Sequence, residues 1–238
     1  MSTAIVTGGS RGIGLAIARA ILKHGGRVMI AGLDRQRVDD AVTALSKESG
    51  DAARVAGAVA DVRDRSAVDR LIADAVERFG GFDVLVNNAG VGVFADVSKM
   101  TDAEWQHVFE TNLTGAFYCS RAAIPWLKRA GGGWIVSISS LAGRNPFAGG
   151  AAYCASKAGL IAFSEALMQE VRADNIRVSV ILPGSVATGF SHPTQATDDS
   201  WKLQPDDVAQ AVVDLLRFPA RSLPSRVELR PVRTKSAG

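Results

Sequence analysis

The chain has 238 residues, 47% of them apolar and 21% charged, ordinary values for a globular protein. Those fractions exclude a disordered tail, a collagen-like chain and a coiled coil. The net charge of +3 is too slight for a nucleic-acid footprint, and no basic block interleaves with aromatics. The excess sits in one place: residues 226–238 hold Arg226, Arg230, Arg233 and Lys235 against Glu228, which reads as a solvated basic tail.

This length suits one α/β domain over residues 1–238, with a core that needs neither disulfide nor metal. Cys119 and Cys154 form no disulfide framework and no zinc spacing. They read as small buried hydrophobes in a reducing compartment. A strand pattern begins by Thr3, leaving no room for a targeting peptide. No apolar run reaches the roughly 18 residues that span a bilayer. The expectation is a cytoplasmic protein with no metal, membrane or nucleic-acid partner.

Along the chain, short apolar runs predict strands at 4–7, 27–31, 54–59, 84–87, 134–139, 177–182 and 226–229. Amphipathic stretches between them predict helices at 13–23, 35–46, 66–79, 101–129, 151–172 and 205–216. In 66–79, Val68, Leu71, Ile72, Ala75, Val76 and Phe79 recur at three- and four-residue steps, the helical period. Strand, helix, strand in repeated order implies a parallel sheet with right-handed crossovers. The fold class is α/β, a Rossmann-type doubly wound sheet of seven strands. Gly131-Gly132-Gly133 reads as a helix stop. Residues 189–204 show no pattern.

The first strand runs into Thr7-Gly8-Gly9-Ser10-Arg11-Gly12-Ile13-Gly14. Glycines there let the backbone approach a ligand, and the free N–H groups of the next helix suit a pyrophosphate. Alone, such a turn also serves as a packing joint. Tyr153 and Lys157 stand four apart on a predicted helix, so their side chains lie one above the other. A nearby cation favours phenolate, and lowering a tyrosine pKa by about 3 units takes roughly 4 kcal/mol. By itself Tyr-x-x-x-Lys is common by chance. Here the glycine turn, Asp61, Asn87–Gly90, Ser140 and Pro183-Gly184 all follow strand ends. Ligands of parallel sheets bind outside those carboxyl ends.

This set resembles the classical short-chain dehydrogenase/reductases, and the resemblance covers nearly the whole chain. It implies the sheet order 3-2-1-4-5-6-7. It implies a cofactor turn at Gly8, Ser10, Arg11, Gly12, Ile13 and Gly14, and an adenine-holding pair Asp61-Val62. Asn87, Ala89 and Gly90 would shape the sheet centre and line the cofactor, and Pro183, Gly184, Val186 and Thr188 would contact the nicotinamide carboxamide. Ser140, Tyr153 and Lys157 would be the catalytic trio, with Lys157 lowering the Tyr153 pKa and holding the ribose. Asn112 would support a proton relay. The implied activity is NAD(P)(H)-dependent hydride transfer to a carbonyl or from a secondary alcohol. Oxoacyl-thioester reductases are the nearest well-known relatives.

At the end of the second strand the usual acidic position is Gly32, which removes the standard NAD clamp. Leu33 follows where NADP users often carry Arg. Arg11 remains for a 2′-phosphate and Arg35 is placed to swing in, so NADP(H) is favoured over NAD(H). Phe94, Leu141, Phe147 and Phe190 are candidate walls of an apolar substrate pocket, with Arg144 placed for an anionic group and residues 189–204 as a short substrate loop. A homo-oligomer, dimer or tetramer, is expected through helices 112–129 and 151–172, where Phe163 and Leu167 exceed the needs of one core. Two rival readings stay open: a dinucleotide-binding regulator without chemistry, and epimerase or dehydratase chemistry on the same scaffold.

Overall fold

The computed structural model describes residues 2–188, 190 and 199–233. Strands β1 (Thr3–Thr7), β2 (Arg27–Gly32), β3 (Val55–Val59), β4 (Val84–Asn87), β5 (Gly133–Ile138), β6 (Ile176–Pro183) and β7 (Arg226–Leu229) form one sheet. All pairings are parallel, in the order β3-β2-β1-β4-β5-β6-β7. Helices α1 (Gly12–Lys23), α2 (Arg35–Ser49), α3 (Arg65–Phe79), α4 (Asp102–Phe109), α5 (Gly115–Arg129), α6 (Ala151–Val171) and α7 (Pro205–Leu216) cover both faces. The doubly wound architecture is the expected one.

β1 shows how the layers fill. Ala4 and Val6 join Ile17 and Ile21 of α1 and Val208 and Val212 of α7 in one core. Ile5 joins Leu71 of α3, Leu127 of α5 and Val171 of α6 in the other. Successive side chains alternate across a strand, so one run of five buried residues feeds both cores. Local signals set the helix ends. Asp64 starts α3 by accepting from the Ser66 amide, and Gly80 stops it at φ +76°. Gly131 at φ +82° ends α5, and β5 begins two residues later.

The predicted helix 101–129 runs without interruption from Asp102 to Arg129 but holds a π-helical turn. α4 ends at Phe109, a π-helical turn spans Glu110–Thr114, and α5 follows. The cause is a side chain that bonds outside its own helix. Asn112 Oδ1 accepts from the Val91 amide at 2.8 Å, and its Nδ2 donates to Val91 O at 2.9 Å and Ser156 Oγ at 3.0 Å. Just beyond, Gly115 lets α5 approach the sheet: a Cβ there would stand 2.7 Å from Val62 Cγ2. Of the segment 189–204, residues 189 and 191–198 lie outside the described residues. Among the described residues, no helix is long and apolar enough to cross a membrane.

Candidate active site

A cleft of about 790 Å³ opens at the carboxyl ends of the strands. Its first wall is the glycine turn. Gly8 and Gly12 take positive φ, +63° and +56°. Asn88 Nδ2 donates to Thr7 O at 2.9 Å and Gly8 O at 3.1 Å, and Thr7 Oγ1 accepts from the Asn88 and Ala89 amides. β1 and β4 are thus sewn together beneath the turn. No side chain caps α1, so its first-turn amides are left for another acceptor. Gly8, Ser10, Arg11, Gly12 and Ile13 line the cleft. Gly14 does not; a Cβ there would stand 2.3 Å from Gly8 O, so this glycine packs the helix onto the turn.

At the end of β2, Gly32 leaves room for Ser10, whose Oγ would lie 2.9 Å from an added Cβ. Leu33 is 64% exposed and lines the cleft. Asp34 caps α2 by accepting from the Arg37 amide at 2.9 Å. Arg37, not Arg35, lines the cleft, as Arg11 does, with its Nε 4.0 Å from the Asp34 carboxylate. Arg35 stands outside the cleft wall, 3.9 Å from the Asp39 carboxylate. Sequence reading passed over Arg37, although its position three residues after a capping aspartate was a usable signal.

Beyond the end of β3, Asp61 and Val62 line the cleft. Both carboxylate oxygens of Asp61 accept from Arg63, at 2.6 to 3.0 Å, which holds Asp61 below the usual carboxylate range. Arg63 Nη1 also meets His107 Nδ1 at 3.1 Å. Neither Arg63 nor His107 was singled out from sequence. Ala89 and Gly90 line the cleft, whereas Asn87 lies beneath it, its Nδ2 donating to Ser120 Oγ at 2.9 Å.

β5 and α6 bring the reactive groups together. Ser140 follows β5, its Oγ accepting from the Ala142 amide at 3.1 Å. Tyr153 lies in the first turn of α6, and Lys157 one turn later. Lys157 Nζ donates to Ile138 O at 2.9 Å and lies 5.9 Å from the centre of the Tyr153 ring. Burial pushes the Tyr153 phenol above its ordinary value, and a hydrogen bond from Ser140 acts the other way. Burial alone brings Lys157 down to about 8. The net direction for the phenol is thus set by burial. Asn112 is buried behind this group, its side chain spent on Val91 and Ser156.

Pro183, Gly184, Val186 and Thr188 also line the cleft, Thr188 lying against Gly12 of the glycine turn, as do Leu141 and three phenylalanines. The rings of Phe94 and Phe190 stand 5.6 and 5.9 Å from that of Tyr153, and Phe147 is 6.0 Å from Phe94. Arg144 does not join them. It lies outside the cleft, its guanidinium 3.4 Å from the Glu228 carboxylate, because the nearest anion is on β7. The surface fits a dinucleotide: an uncapped helix start, glycines without Cβ, and two arginines beside the β2 end.

The family model described as short chain dehydrogenase matches residues 2–199. A 3-oxoacyl-[acyl-carrier-protein] reductase of Chlamydia muridarum is 41% identical over 190 residues, 79% of this chain and 75% of the relative. The solved alcohol dehydrogenase of Thermococcus sibiricus, complexed with 5-hydroxy-NADP, is 30% identical and superposes over 100% of both chains with a TM-score of 0.91. L-sorbose reductase from Gluconobacter frateurii, complexed with NADPH and L-sorbose, is 29% identical with a TM-score of 0.87, covering 98% of this chain and 97% of that one.

Proposed function

The chain belongs to the short chain dehydrogenase family, oxidoreductases acting on CH–OH and C=O groups, and from that premise we propose that it is an NADPH-dependent reductase of ketones or oxoacyl thioesters. The observation that carries this is the meeting of Ser140, Tyr153 and Lys157 in one cleft against an apolar wall. Pro183, Gly184, Val186 and Thr188 would hold a nicotinamide cofactor, which would supply hydride-transfer chemistry in either direction. Ser140 donates a hydrogen bond to the substrate oxygen as charge develops there. Tyr153 gives that oxygen its proton as general acid, and takes it back in oxidation. A phenol, with an ordinary value of about 10, is protonated at neutral pH, the form that donates in reduction. Lys157 holds the ribose hydroxyls. The Asn112 side chain is fully engaged, so its part in proton relay falls to its main chain.

NADP(H) over NAD(H) is supported by Arg11 and Arg37 on the cleft wall and by the absence of an acid at Gly32. The Thermococcus and Gluconobacter neighbours carry NADP-type cofactors. The 238 residues form one domain in this reading, and the protein works in the cytoplasm as a homo-oligomer. Phe117 on α5, 40% exposed and 6.4 Å from the Phe163 ring on α6, supports that contact face. Leu167 does not contribute, being buried in the core. The test is cofactor oxidation at 340 nm across ketones, aldehydes and acyl thioesters with NADPH and NADH, wild type beside Tyr153→Phe. Turnover lost in the variant supports the reading. Cofactor binding without turnover would favour the regulatory alternative, and isomerised or dehydrated products the other.

A further inference from the structure

The charge of the cleft is lopsided. Among the described residues that line it, the carboxylates are Asp34 and Asp61, both at the dinucleotide end and both engaged by arginine side chains or amides. Arg11, Arg37 and Arg63 accompany them there, whereas Lys202, Arg230 and Arg233 line the cleft with no carboxylate of its lining beside them. Lys202 is tied to Asp199. Arg230 lies 3.1 Å from Glu228, a carboxylate that Arg144 also claims at 3.4 Å, so two guanidinium groups share one anion. Arg233 is exposed and has no carboxylate partner among the described residues.

Tertiary structure brings this surplus to the cleft. The Gly184 amide donates to Leu229 O at 2.8 Å, fixing the end of β7 over the nicotinamide segment. Pro231 then packs on Gly184, its Cδ lying 2.9 Å from where a Cβ on that glycine would stand. Leu141 Cδ1 stands 3.3 Å from the same point, so Arg230 and Arg233, which line the cleft, flank a proline that meets Gly184 beside Leu141. A cleft that carries both an apolar wall and an under-neutralised pair of guanidinium groups selects a molecule with both characters. Arginine forks match carboxylate and phosphate oxygens.

We infer that the substrate is an oxo compound bearing an anionic group, carboxylate or phosphate, which Arg230 and Arg233 bind while its carbonyl faces Tyr153. This rests on the carbonyl-reductase reading of the same cleft. The test compares kcat/KM for oxo carboxylates, oxo phosphates and their uncharged methyl esters, in wild type, Arg233→Gln and Arg230→Gln/Arg233→Gln. The expected result is a preference for one anionic series of about tenfold or more in wild type, collapsing towards one in the double variant. A wild-type ratio near one, or a preference that survives both substitutions, overturns the inference. Carboxylate and phosphate arms identify the group. If no carbonyl compound is turned over, the reductase reading fails separately. Calorimetric titration of succinate and inorganic phosphate, with succinamide as control, then decides the anion site. Binding weakened about tenfold in the double variant supports it, and equal or absent binding in wild type overturns it.

Discussion

Lys157 Nζ donates to the main-chain oxygen of Ile138 at 2.9 Å and stands 5.9 Å from the Tyr153 ring centre, with no carboxylate paired to it among the described residues. An ammonium so placed is stabilised by one carbonyl dipole and opposed by its own desolvation, which brings it to about 8. Neutral pH therefore finds a protonated phenol beside a lysine close to losing its charge.

Stability should carry the signature of that lysine. Its folded-state pKa of about 8 lies below the ordinary 10.5. Between those values the unfolded chain binds one more proton than the folded one, so the stability contributed by this group rises with pH. The penalty is fully present below pH 8 and amounts to about 3 kcal/mol. In urea melts from pH 7 to pH 10, the stability of Lys157→Met relative to wild type should fall as pH rises. A difference that stays flat with pH would refute the assignment.

Tyr153→Phe should lower kcat for reduction about 10²- to 10⁴-fold with the cofactor still bound, since it removes the proton donor alone. Ser140→Ala should cost about 10²- to 10³-fold. It should also move the alkaline limb of alcohol oxidation to higher pH, because the lost hydrogen bond was pulling the phenol down. A limb that moves the other way contradicts the assigned donor.

Asn112→Ala should destabilise the fold by about 2–4 kcal/mol, read from urea denaturation. The substitution strands the Val91 amide and carbonyl, which are otherwise paired at 2.8 and 2.9 Å. Stability unchanged within about 0.5 kcal/mol would show that the turn holds without its side chain.

Arg37→Ala and Arg11→Ala should each raise the NADPH dissociation constant about tenfold and leave that of NADH nearly unchanged, measured by fluorescence titration. Arg35→Ala, on the outer side of the cleft wall, should alter neither. Equal effects on both cofactors would remove the 2′-phosphate from the argument.

Phe117→Glu should lower the mass measured by light scattering, because it places a charge on the exposed α5 face. An unchanged oligomeric mass would place the contact elsewhere.

Much of the site was legible because its chemistry is local. Tyr153 and Lys157 share a helical face through a four-residue spacing. The strand–glycine–helix order puts an uncapped helix start at a sheet edge, and alternating apolar runs dictate a sheet covered on both sides. Burial of the pair was not legible, and it reverses the direction in which Tyr153 shifts. Nor was the π-helical turn at Asn112, since an amide inside a helical pattern reveals no partner until Val91 and Ser156 arrive beside it. Arg35, Arg37, Arg144, Arg230 and Arg233 look alike in one dimension. Long cationic side chains go where an anion or a capped turn directs them. Asp39 and Asp34 sort Arg35 from Arg37 within one helix, whereas Glu228 meets Arg144 only once β7 has been laid against β6.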